Sequence, residues 1–154
     1  MMRLTTGFVV SIVLVFGMAA VTHSQYDYGS PPRVGQAQGA DVKGQLKTAV
    51  THAGFAGSGD SMNYVKQHLG HTLNCIEGTK GKNFNRSWGH VCQGQGNGIL
   101  TDLRAAPGGA TFTLVIEHAD SLAAAGVLRK DLAEARTAAK AVGALLTIIS
   151  DNLK

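Results

Sequence analysis

A chain of 154 residues suggests one domain. Its 14 basic and 10 acidic residues are scattered, which excludes the basic stripe of a nucleic-acid surface and a polybasic membrane segment. Neither nucleic acid nor a membrane surface is therefore an expected partner.

Residues 1–24 read as a secretory signal peptide. Arg3 supplies the positive start, Phe8 to Phe16 the apolar run, and Thr22 and Ser24 the small residues before a cleavage after Ser24. The rival reading is an uncleaved anchor, since Leu4 to Thr22 carries no charge. Thr5, Thr6, Gly7, Ser11 and Gly17 interrupt that stretch, whereas a spanning helix needs about 20 mainly apolar residues. Cleavage is the expectation, giving a periplasmic or secreted chain of about 130 residues without a membrane span, enough for one modest core. With Arg3 removed, 13 basic residues face 10 acidic ones, a net +3.

Residues 25–40 are rich in Gly, Pro and Gln without periodicity and read as a flexible lead. The domain expected at residues 41–154 begins with Asp41 as an N-cap. Val42, Leu46, Ala49, Val50 and Ala53 then recur at helical spacing, and Gly54 and Gly57 are expected to end this first helix. Asp60 or Ser61 caps a second, with a stripe of Met62, Val65, Leu69, Leu73 and Ile76 that Gly78 stops. Gly78 to Gly98 reads as a glycine-rich loop, in which Phe84 and Trp88 pack back onto the helices. Ile99 to Ala105 suits a short helical piece. Thr111 to Ala125 reads as the third long helix, with Phe112, Val115, Ile116, Ala119, Leu122 and Ala123 inward and Gly126 as its stop. The fourth carries a seven-residue repeat through Leu128, Leu132, Ala135, Ala139, Val142, Leu146, Ile149 and Leu153. Two short links and one long one predict an all-α, antiparallel up-down-up-down four-helix bundle, with the loop between the second and third long helices.

Cys75 and Cys92 are the only cysteines. In an exported chain an isolated pair predicts a disulfide, contributing roughly 3 kcal/mol by restricting the unfolded chain. A metal-thiolate pair is the lesser alternative.

Five histidines follow the signal segment: His52, His68, His71, His90 and His118. His52, His68 and His118 share one local pattern, each directly preceding a core position of its own helix. Counting from the predicted turns, all three fall in one layer, roughly 8 to 12 Å from one bundle end. Bundles hold metals between facing helices, and imidazole suits Zn, Cu, Ni and Fe. Asp60, Glu117 or Asp120 could add a carboxylate. A second grouping competes: His68 and His71 are three apart on one face, and the disulfide would bring His90 toward them. The bland reading is that these are boundary histidines bonded to backbone or water. His52 would then lie in a last helical turn and His71 in solvent.

Other chemistries lack their signatures. The segment Gln93–Gly98 has no Lys-Ser/Thr and follows no strand, so it is not a phosphate loop. There is no C-x-x-C-H, no H-E-x-x-H, no Glu-x-x-His pair and no nucleophile elbow. Non-covalent haem b, held by two of the histidines or by His and Met62, stays open. With its recurring His-Ala or His-Leu step around His52, His68 and His118, the chain resembles the small periplasmic metal-binding helical bundles. The resemblance implies non-enzymatic metal binding. That family is much richer in histidine and lacks the Cys75–Cys92 loop, so one site is implied here rather than high-capacity sequestration. The alternative function is a protein-interaction or assembly module whose contact surface is the loop Gly78–Gly98, and self-association is open as well.

Overall fold

The computed structural model describes residues 40–154. The expected signal peptide (1–24) and all of the expected lead (25–40) except Ala40 lie outside the described residues. The described chain is all helical, with no strand: α1 (Val42–Ser58), α2 (Met62–Glu77), α3 (Ile99–Ala105), α4 (Thr113–Val127) and α5 (Leu132–Asn152), plus 3-10 turns at Arg86–Trp88 and Gly109–Phe112.

α1, α2 and α5 each start where a polar side chain satisfies an orphan backbone N–H. Asp41 Oδ1 accepts from Gly44 N at 2.7 Å, Ser61 Oγ from Tyr64 N at 3.4 Å, and Asp131 Oδ1 from Glu134 N at 2.9 Å. The Asp131 cap corrects the expected start of the last helix. Leu128, read as the first inward residue of the repeat, lies in the α4–α5 link and is 77 % exposed. From Ala135 to Ile149 the repeat is buried as expected, and Leu153 with it.

α1 packs on α2 and α5, and α4 packs on the same two helices, so α1 and α4 stand on opposite sides of that pair. The core lies between them: Leu46, Ala49 and Ala53 from α1, Val65, Leu69, Leu73 and Ile76 from α2, Ile116 and Ala123 from α4, and Val142, Leu146 and Ile149 from α5. Three glycines expected as stops lie inside helices instead. At Gly57 a Cβ would come 2.9 Å from Lys140 of α5, and at Gly126 it would come 2.5 Å from Leu69 of α2. These two admit a neighbouring helix; only Gly54 meets nothing. On α4, Leu122 is exposed rather than inward and Val115 is half-buried, as is Phe112 in the turn before it.

The segment between α2 and α3 is a loop closed by the Cys75–Cys92 disulfide, with Cα atoms 5.3 Å apart. Its ends pinch together where Gly78 and Gly98 adopt positive φ of 66° and 109°, so close that any Cβ would strike the opposite backbone. Two buried amides dock it. Asn74 Nδ2 donates to the carbonyls of Asn85 (2.8 Å) and Gly89 (2.6 Å), while its Oδ1 accepts from Asn85 N at 2.9 Å. Gln45 on α1 donates to Asp102 Oδ2 at 2.9 Å and accepts from Gly98 N at 3.2 Å. Both are fully buried, and each such bond prevents a costly unsatisfied group.

Candidate metal centre

His52 comes from the α1 face toward α2; His68 and His71, three apart on α2, meet it. His52 Nδ1 lies 2.9 Å from His68 Nδ1 and 3.2 Å from His71 Nδ1. One nitrogen from each ring falls within 4.8 Å of the other two. A tetrahedral ion with metal–nitrogen distances of about 2.0–2.1 Å needs nitrogens about 3.3 Å apart, so small ring movements would satisfy it.

The aromatic surroundings hold the rings. Tyr64 lies against His68 with centroids 4.3 Å apart, and Phe55 meets His52 and His68 edge-on at 5.6 and 5.2 Å. The loop supplies the third wall. Trp88 covers Gly70, where a Cβ would come 2.3 Å from the indole ring. Behind it, the loop backbone at Trp88 and Gly89 faces His71, with Gly89 on the side of His71 Nε2. In the tautomer with the proton on Nε2, Nδ1 of His71 keeps its lone pair. One proton on His52 Nδ1 is then enough to bond both neighbours, and a metal ion would replace that proton.

Burial pushes the His52 imidazole down from 6.5 to about 4, reinforced by His71 and then His68. Burial and His71 lower His68; burial lowers His71 against the opposing Trp88 bond. A consequence for the metal-free protein follows. Above pH 6.5 folded and unfolded chains both carry neutral His52, and its contribution to stability is complete. As pH falls toward about 4, the unfolded chain takes up a proton that the folded one refuses, and stability is lost. We expect denaturant titrations to show a loss on the order of 1–2 kcal/mol from this cluster, allowing for solvent screening at half-exposed rings.

The structure unites two of the three residues expected as ligands and leaves out the third. His118 is exposed and bonds the Leu114 carbonyl of its own helix at 2.7 Å. The local patterns match, but the inward stripes differ. Ala53 lies at the centre of its stripe, which puts His52 roughly 80° off centre; Ala119 is at the edge of its own, which puts His118 roughly 140° off. The rival set, His68, His71 and His90, is also divided: His90 packs edge-on against Phe84 at 5.3 Å, outside the cluster. His71, read blandly as solvated, is 8 % exposed. None of the expected carboxylates joins the group. Asp60 is exposed, Glu117 pairs with Arg104 at 3.4 Å, and Asp120 shares a hydrogen bond with Glu77.

No protein-family model matches the chain, and no curated protein or solved structure matches it either.

Proposed function

We propose that this is an exported, non-enzymatic helical protein that binds one transition-metal ion through His52, His68 and His71. The approach of His68 Nδ1 and His71 Nδ1 to the one His52 Nδ1, with one nitrogen from each ring within 4.8 Å of the others, carries the reading. Imidazole donors suit Zn, Cu, Ni and Fe, and copper ranks highest among divalent ions at such a site. The convergence also favours an ion over haem, because axial histidines must stand apart on either side of a porphyrin. Export rests on the signal-like residues 1–24 and fits a disulfide-bonded domain. Among the described residues, no helix is long and apolar enough to cross a membrane. We further propose that α1, α2, α4 and α5 form an up-down-up-down bundle, with α3 and the disulfide loop as an insertion that walls the site.

Titration of the untagged protein with Zn(II) or Cu(II), followed by calorimetry and elemental analysis, tests this. One ion per chain is expected. His71→Ala should lose more affinity than the roughly 10–100-fold that loss of an outer-shell partner costs. His118→Ala should bind as the parent does. Parental affinity in His71→Ala would overturn the ligand set.

A further inference from the structure

The donor group consists of three imidazoles alone. Among the described residues, no carboxylate or cysteine joins it. All three donors come from two adjacent helices, and His52 and His68 are only half-buried. The end of the cluster toward the α1–α2 link is bordered by Phe55 of α1, 43 % exposed, and Tyr64 of α2, 41 % exposed. Structural zinc sites close the coordination shell with four protein ligands, whereas three protein ligands leave a position for an exchangeable one. Charge identifies what would enter it. An imidazole binds metal as a neutral ligand, so three of them leave the whole positive charge of the ion uncompensated. Of the two rim residues only Tyr64 carries a hydrogen-bonding group, its phenol hydroxyl, so the charge of the ion is the main attraction offered to a ligand.

We propose that the metal at His52, His68 and His71 keeps one coordination position open to solvent, and that this position binds a small inorganic anion in exchange for water. The inference rests on metal binding at that site and deepens it: the bound ion is a receptor for an anion rather than a closed structural staple. Binding is simple ligand exchange. A water molecule leaves, the anion donates a lone pair to the metal, and nothing is oxidised or reduced.

The test uses the untagged full chain loaded with Co(II), with metal content measured, and sodium azide as the probe. Visible absorption reads the coordination of the cobalt. The expected result is one Co(II) per chain and a saturable change of the cobalt bands with azide. His52→Ala should show no such response. Bands that azide leaves unaltered, with one Co(II) bound, would overturn the open position while leaving metal binding intact; a protein group such as Tyr64 would then complete the shell. An undiminished azide response in His52→Ala would also overturn it, by placing the response elsewhere. Failure to bind one Co(II), Zn(II) or Cu(II) per chain would overturn this inference and the metal-binding reading together.

Discussion

Gly70→Ala is expected to release Trp88 from α2 and destabilise the domain by roughly 2–4 kcal/mol, combining a rigid overlap with lost packing. The added methyl would sit 2.3 to 2.7 Å from three atoms of the indole, which cannot bend aside as a flexible chain could. Gly70 is inside α2 at an ordinary helical position, so alanine would otherwise favour the helix. The chain has a single tryptophan, so its fluorescence reports the displacement directly. Red-shifted emission is expected, with a loss of metal affinity of roughly 10–100-fold because the loop no longer walls His71 in place. Trp88→Ala should cost less on the Gly70→Ala background than in the parent, since the two changes act on one contact. Parental emission and affinity in Gly70→Ala would refute this account of the third wall.

Asp120→Asn is expected to stabilise the protein at pH 7.5 by roughly 1–3 kcal/mol. Asp120 is 7 % exposed, and its Oδ1 has no hydrogen-bond partner. Burial first, then the charge and hydrogen bond of Glu77, push its carboxyl up from 3.8 to about 6, while Lys82 pulls the other way. Glu77 is itself committed to the loop, accepting from the backbone and side chain of Asn83 at 2.5 Å. With a raised folded value, Asp120 contributes fully at pH below 3.8, and the contribution is lost as pH rises through about 6. Asparagine can donate to Glu77 as the protonated acid does, but carries no charge at pH 7.5. The gain should therefore disappear in denaturant titrations near pH 4. Over that same window the histidine cluster loses stability, so the variant should show a steeper acid dependence than the parent. Equal stability of variant and parent at pH 7.5 would show that Asp120 ionises there without strain.

Much of the helical layout was legible because local rules fix it. The stripes Val42–Leu46–Ala49–Ala53 and Val65–Leu69–Leu73–Ile76 are buried as their spacing required. The cysteine pair followed from count and compartment. What escaped has tertiary causes. Every residue of α2 from Leu69 to Glu77 is buried, because helices cover one side and the loop folds back over the other. Periodicity alone marks His71, Asn74 and Glu77 as outward; only the returning loop makes them interior. Gly57 and Gly126 carry the signature of helix stops, yet their role is to admit Lys140 and Leu69, side chains distant in sequence. For His118 the local motif was the same as for His52, and the stripe's centre decided between them. The buried aspartate at position 120 could have signalled the difference, since it turns the inward face of α4 away from His118.

The three donors at positions 52, 68 and 71 all lie within the α1–α2 segment. Their span is about a third of the one that a set reaching to His118 would need, which lowers the loop-closure entropy by roughly 1 kcal/mol. Donor geometry of this kind is a low-contact-order feature, tied to one neighbouring pair of helices. The α4 helix can therefore diverge, shift or be recut without disturbing the ligands, whereas an insertion in the three-residue link between Ser58 and Met62 changes the register of His52 against His68 at once.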